Sequence, residues 1–145
     1  MSLDGDYDPD NIFAKIVRGE APAAKVYEDH DTLAFMDVFP QGPNHVLVIH
    51  KRATARNLLD ADPQDLHAVI NTVQRVGRAM IAALKPEGLL VTQFNGSAAG
   101  QTIFHLHFHL IPRWAQIPLG RHAGGQMADL GELTKQAHAI SLEIA

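Results

Sequence analysis

Apolar residues change their spacing several times along the chain, and each change predicts an element. Ile12, Phe13, Ile16 and Val17 form a short helical face that begins after Asn11 and stops at Arg18-Gly19-Glu20-Ala21-Pro22. Lys25 to Glu28 and Thr32 to Val38 read as two strands joined by the turn residues Asp29-His30-Asp31, a hairpin. Turn chemistry at Pro40-Gln41-Gly42-Pro43-Asn44 leads into His45 to His50, a short β-branched run expected to be a central strand. The longest pattern runs from about Pro63 to Lys85, where Leu66, Val69, Ile70, Val73, Val76, Met80, Ile81 and Leu84 keep the spacing of one buried helix face. Asp62 suits its N-cap and Pro63 its first position, while Pro86 and Gly88 prevent its continuation. Leu89 to Phe94 predicts a strand, Asn95 to Gly100 a small-residue loop, and Ile103 to Ile111 a neighbouring strand closed by Pro112. After the Gly/Pro-containing stretch from Pro118 to Gly125, the residues Met127, Leu130, Leu133, Ala137, Ile140 and Ile144 predict a C-terminal helix. This order implies an α+β domain with a mainly antiparallel sheet over 11–113, a disordered polar segment at 1–10 and a helical extension at 114–145.

Composition narrows the function. With 145 residues, 46% of them hydrophobic, the chain has the size of one ordinary domain, and with no cysteine it has neither disulfides nor thiol chemistry. Twelve Lys+Arg against sixteen Asp+Glu leave no basic excess for nucleic acid. No apolar run reaches the roughly 18 to 20 residues of a membrane span, and Met1 to Asp10 has neither a signal nor a transit pattern. The expectation is a cytoplasmic protein that binds neither membrane nor nucleic acid.

Nine residues are histidine, three of them in His105-Leu106-His107-Phe108-His109. On a strand these three share one face and Leu106, Phe108 and Leu110 the other, with same-face neighbours about 6.5 to 7 Å apart. An exposed polar face is one explanation, though Ser, Thr or Lys would serve it equally. A metal ion held by His-x-His with His45 or His50 is a second, set against the absence of any Asp or Glu between Leu89 and Ala128. The third is covalent catalysis at phosphorus by a neutral imidazole whose other nitrogen is held by a hydrogen bond. The preceding loop favours phosphate, since Gly96, Ala98, Ala99 and Gly100 leave backbone N–H groups accessible and Gln101 and Thr102 add side-chain donors.

The run from Gly100 to Ile111 resembles the histidine-triad (HIT) signature, His-φ-His-φ-His-φ-φ with φ apolar, in its bacterial, HINT-like branch. The likeness extends through 11–20, Leu33-Ala34-Phe35-Met36-Asp37 and 40–49, and covers roughly residues 11 to 113. It implies a HIT-like α+β fold, usually a homodimer, that binds a purine nucleotide such as an AMP or GMP derivative. The activity implied is cleavage of the α-phosphate bond of nucleoside 5'-phosphoramidates without a metal or other cofactor. Dinucleoside polyphosphate hydrolysis is the nearest alternative, and an interaction module with little turnover the alternative from another class.

Carried over by position, the resemblance makes His107 the nucleophile that becomes nucleotidyl-histidine, and the His105 carbonyl the partner of its other ring nitrogen. His109 stands beside the phosphoryl oxygens, with a positive charge to stabilise the transition state, and His45 completes the relay. Gln101, Thr102 and Gly100 fall on the phosphate side. Ile12, Phe13, Ile16, Phe35, Met36, Val38 and Leu47 form the nucleoside pocket, with Asp37 accepting the ribose hydroxyls. Asp37 has a competing use as a turn cap near Phe39-Pro40. Two departures stand out. Relatives with Cys-Ile-Phe-Cys bind a structural zinc, and Asn11 and Ala14 replace both cysteines, so no metal is carried over. The ribose-contacting Asn of many relatives falls on Phe94, leaving Asn95 as a substitute only if the loop is shifted. His50 and His67 read as structural or surface residues.

Overall fold

The computed structural model describes residues 3–122 and 125–145. Its elements, in chain order, are α1 (Ile12–Val17), β1 (Lys25–Glu28), β2 (Thr32–Met36), β3 (Val46–His50), α2 (Pro63–Leu84), β4 (Gly88–Thr92), β5 (His107–Arg113) and α3 (Leu130–Ser141). A short 3-10 turn, Ser97–Ala99, lies between β4 and β5. The five strands make one antiparallel sheet in the order β1-β2-β3-β5-β4, which is the expected α+β arrangement.

Every residue of β2 and β3 is buried, because each face of the sheet has its own cover. Ala34, Met36, Val46, Val48, Phe108 and Leu110 meet Val69, Val73, Val76 and Met80 of α2 and Leu133, Ala137 and Ile140 of α3. On the opposite face Leu33, Phe35, Leu47 and Ile49 pack with Phe13 and Ile16 of α1. Strand periodicity therefore splits β2 and β3 between two apolar layers, which explains why they read as continuous hydrophobic runs although the sheet is antiparallel. Helix α2 starts as expected, with the Asp62 carboxylate accepting from the Gln64 N–H and Pro63 in the first turn. It ends at Leu84 because Lys85 turns left-handed, with φ of 49°.

Several expectations shift. Ile70 and Ile81, assigned to the buried face of α2, lie on its flank, 48% and 46% exposed. Met127 is exposed, and α3 begins later, at Leu130, where the Asp129 side chain caps it. β5 starts at His107 rather than Ile103 and continues through Pro112 to Arg113. Pro112 lies beyond the last β3 partner, at Leu110, so its missing N–H is tolerated there.

The polar segment expected to be disordered carries specific contacts from Leu3 onward. The Leu3 carbonyl accepts from the buried Asn57 side chain at 3.0 Å, the Asp6 carbonyl from Arg56 at 3.0 Å, and the Pro9 carbonyl from Arg18 at 2.6 Å. Tyr7 reaches furthest inward, its hydroxyl 2.8 Å from Nδ1 of the buried His105. Composition hides this because the segment is held by carbonyls and one phenol rather than by apolar burial.

Candidate active site

The candidate cavity lies on the α1 face of the sheet, where β2, β3 and β5 meet the loops that follow them. It has a volume of about 320 Å³. Of the residues expected to bind nucleotide, Ile12, Phe13, Ile16, Phe35, Met36, Asp37, Val38, Leu47 and Thr102 line it, together with His107 and His109. Pairing places the two histidines there, since His107 is opposite Ile49 and His109 opposite Leu47, on the face those residues share. The Phe13 ring meets the edge of His107 with centroids 4.9 Å apart, and Phe94 lies 5.3 Å from His109.

His105 is not the third member of a strand face. It precedes β5, does not line the cavity, and turns between Tyr7 and the His50 carbonyl, 3.1 Å from its Nε2. What it offers His107 is its main-chain carbonyl, which accepts from His107 Nδ1 at 2.7 Å. The residue and the contact agree with the expectation from resemblance; the strand placement does not.

Main-chain atoms set the proton positions, because a backbone N–H only donates and a carbonyl only accepts. The Gln41 N–H donates to His45 Nδ1 at 3.0 Å, so the proton of His45 is on Nε2. That nitrogen is 2.9 Å from His109 Nδ1, which must accept, leaving the His109 proton on Nε2. His109 Nε2 is buried and has no hydrogen-bond partner among the described residues. His107 donates from Nδ1, so its lone pair is on Nε2. The site thus contains a directed chain that ends in an unused N–H on one imidazole, beside a second imidazole whose lone pair is free of any tautomeric ambiguity.

Burial keeps these rings neutral. It pushes His45, His105 and His107 down to about 4. His109 is pushed down to about 2 by burial, with the charges of His107, His45 and His122 adding to the effect. Burial thus disfavours the positive charge expected on His109, and what the ring presents in this structure is a neutral N–H donor. Asp37 is shifted upward by burial. Its Oδ1 accepts from the Phe39 N–H at 2.8 Å and its Oδ2 lies 3.5 Å from His45 Nε2, so the turn cap and the place at the cavity wall are both real.

The loop before β5 is arranged differently from the expected phosphate cradle. The N–H groups of Ala99 and Gln101 both donate to the Gly96 carbonyl, and that of Gly100 to Ser97. The Gly96 N–H donates to the Gln101 side-chain oxygen. Gln101 is buried, and its amide nitrogen donates to the Arg56 and Ile103 carbonyls at 2.7 and 3.0 Å, so its polar atoms brace the loop instead of facing the cavity. Asn95 also braces, its oxygen accepting from Leu58 N–H and from Gln93. Gly100 has φ of 109°, a conformation that favours glycine, and its carbonyl points to a residue the sequence reading missed.

That residue is His122. It comes from the stretch after β5, lines the cavity, and sets its ring edge-on to His109 and tilted against Phe94, with centroids 5.2 and 4.8 Å away. Its Nε2 donates to the Gly100 carbonyl at 2.7 Å, and its Nδ1 is buried without a partner among the described residues. The only signal in the sequence was a ninth-part share of the histidine count inside a Gly/Pro-rich stretch, with no spacing to connect it to the strand.

Among the described residues, one group has metal-ligand proximity: Asp37, His45 and His109, each with one ligand atom, all within 4.8 Å of one another. The carboxylate not found near the histidines in sequence comes from the end of β2. The set does not fit a resident ion, because His45 Nε2 and His109 Nδ1 face each other across a proton that the Gln41 N–H forces onto His45. Where relatives have cysteines, Asn11 caps α1 through the Ala14 N–H and Ala14 is buried. His50 is a structural residue, accepting from the Arg52 and Ala53 N–H groups and standing 3.3 Å from Asp65.

Comparison with known proteins gives a consistent picture. Residues 18–116 match the model of the HIT domain. A HIT-like protein from Bartonella henselae, described as involved in cell-cycle regulation, superposes with a TM-score of 0.87 at 45% identity, over 95% of this chain and 99% of that one. A hypothetical histidine triad nucleotide-binding protein from Sulfolobus tokodaii gives a TM-score of 0.81 at 30% identity, over 90% and 89% of the two chains. An adenylylsulfatase of Arabidopsis thaliana is 37% identical over 79% of this chain and 60% of its own length.

Proposed function

The chain belongs to the HIT domain family, and from that premise we propose that it is a nucleotide-binding hydrolase that cleaves purine nucleoside 5'-phosphoramidates, or related adenylates, through a nucleotidyl-His107 intermediate. The observation that carries this is one imidazole: His107, buried beside the cavity, with Nδ1–H held by the His105 carbonyl at 2.7 Å. A neutral ring of fixed tautomer is a nucleophile without prior proton loss.

In the first half-reaction His107 Nε2 forms a bond to the α-phosphorus, and the bond from phosphorus to the leaving group breaks, its electrons going to the departing amine, whose nitrogen takes its proton from solvent. The unused N–H of His109 meets the phosphoryl oxygen, a donor preorganised by His45 and the Gln41 amide. The second half-reaction transfers the nucleotide to water. The apolar cavity around Ile12, Phe13, Ile16 and Leu47 takes the purine, and the Asp37 carboxylate takes the ribose hydroxyls. Thr102, exposed at the cavity rim, supplies the phosphate-side contact that Gln101 cannot. The named activity of the plant relative favours adenylates with a leaving group other than a second nucleotide over dinucleoside polyphosphates.

The active species in this reading is a homodimer. β4 is an edge strand with Val91 44% exposed, and Ile70 and Ile81 leave apolar area open on the adjacent helix. Catalysis needs no metal, and the location expected is cytoplasmic; among the described residues no helix is long and apolar enough to cross a membrane. The test is rapid quench with adenosine 5'-phosphoramidate followed by intact mass spectrometry, comparing the parent with His107→Ala and adding a chelator. An adduct on the parent alone, indifferent to the chelator, is the expected result. No adduct and no turnover would leave an interaction module.

A further inference from the structure

We infer that His122 is the general base of the hydrolytic half-reaction, the group that takes a proton from the water attacking nucleotidyl-His107. The inference rests on the covalent reading above and adds to it a residue that stands outside the histidine triad and His45.

Hydrolysis of the intermediate needs a lone pair at the cavity, and among the imidazoles the hydrogen-bond pattern removes every one but that of His122. His107 Nε2 has spent its pair on phosphorus. His45 Nδ1 is occupied by the Gln41 N–H and its Nε2 carries a proton. His109 accepts from His45 through Nδ1 and shows only an N–H on the other side. Asp37, whose Oδ1 accepts from the Phe39 N–H and whose Oδ2 lies beside His45 Nε2, is taken by the ribose hydroxyls in the reading above. His105 does not reach the cavity. There remains Nδ1 of His122, which in the neutral ring carries a lone pair because Nε2–H is donated to the Gly100 carbonyl. It is buried and has no partner among the described residues.

The arrangement is the one a positioned base requires: a ring whose tautomer and orientation are set by a third group. Gly100 sets the tautomer, and the ring is in contact with Phe94, tilted, and with His109, edge-on. The segment carrying His122 is fixed two residues earlier. There the Gly120 N–H donates to the Gln41 carbonyl at 2.6 Å and Gln41 Nε2 donates back to the Gly120 carbonyl at 3.2 Å. A Cβ at Gly120 would come within 2.9 Å of the Gln41 oxygen, so glycine is required for this approach. Gln41 thus anchors both ends of the device, directing His45 with its amide and seating the His122 segment with its carbonyl.

In the step itself the water oxygen bonds to phosphorus, its proton passes to His122 Nδ1, and the phosphorus–Nε2 bond breaks with the electron pair returning to His107. The nucleoside monophosphate leaves and the proton on His122 returns to solvent.

The experiment separates the two half-reactions in the parent, His122→Ala and His122→Gln, with adenosine 5'-phosphoramidate. Gln keeps a donor for Gly100 but has no basic nitrogen, so it guards against a collapsed loop. Both variants should form the nucleotidyl adduct within about threefold of the parent rate. Decay of that adduct should slow by about a hundredfold or more, so that it accumulates in steady state, in line with the usual loss of a general base. Adduct decay at the parent rate in His122→Gln overturns the inference, and so does an equal slowing of formation and decay. No adduct on the parent itself overturns the covalent reading beneath it and is recognised before any variant is compared.

Discussion

Of five buried imidazoles, all shifted downward by burial, four are shifted far enough to make the folded protein sensitive to mild acid, and the size of the effect follows from their environment. In the unfolded chain each of them takes up a proton near 6.5. In the folded chain His45, His105 and His107 do so only near 4 and His109 only near 2. Below 6.5 the unfolded state therefore binds more protons than the folded one, and stability falls as pH falls toward 4. At pH 5 each ring that stays neutral costs about 2 kcal/mol relative to pH 7.5, about 8 kcal/mol for four acting independently. Asp37, shifted upward, acts in the opposite direction and offsets part of this. The surface carboxylates Glu20, Glu28 and Asp31 are shifted downward by their basic partners, so their contribution is lost only at lower pH and does not confuse the window. Urea unfolding at pH 7.5 and pH 5.0 should show a loss of at least about 4 kcal/mol, half the independent sum. In His107→Asn the loss should shrink by about 2 kcal/mol. A loss below about 1 kcal/mol in the parent would mean that the rings are already charged or hydrated in the folded state, and the assignment of their protons would fall with it.

Other substitutions test separate parts of the argument. Tyr7→Phe removes the donor to His105 Nδ1 and should cost about 1 to 2 kcal/mol in urea unfolding; no change would mean that the N-terminal segment is not seated. Gln101→Leu strands the Gly96 N–H and the Arg56 and Ile103 carbonyls, with an expected cost of about 2 to 4 kcal/mol by thermal or urea melting. Asn95→Ala should lower stability by about 1 kcal/mol yet leave AMP affinity by calorimetry unchanged, whereas a loss of affinity would return Asn95 to the ribose. Asp37→Asn should weaken AMP binding about tenfold in the same titration, and an unchanged affinity would remove the ribose role.

Elements with one dominant period were legible in the sequence. The α2 stripe, the hairpin and the apolar run of β3 all appear where periodicity and turn residues put them, with ends displaced by a few residues. The cavity wall was legible through the family likeness, because Ile12, Phe13, Phe35 and Leu47 are close together only after folding and look like ordinary core otherwise. The fate of polar groups was not. Gln101 and the N–H groups of its loop satisfy one another at short range, a competition among nearby donors and acceptors that no spacing rule resolves. His105 also deceived: alternation with His107 and His109 suggests one strand face, but β5 begins only after it. Tyr7 enters the arrangement from the N-terminal segment and His122 from the stretch between β5 and α3, and nothing local marks either one.

The Gln41 amide, the His105 carbonyl and the Gly100 carbonyl have a consequence beyond the present chemistry. Three chemically identical rings have their tautomers fixed by main-chain atoms rather than by side chains. Side-chain replacement at 105, or at 41 by anything but proline, leaves those instructions in place so long as the chain keeps its path. Sequence drift can therefore rewrite the neighbours of the site while its division of labour is inherited through the shape of the backbone.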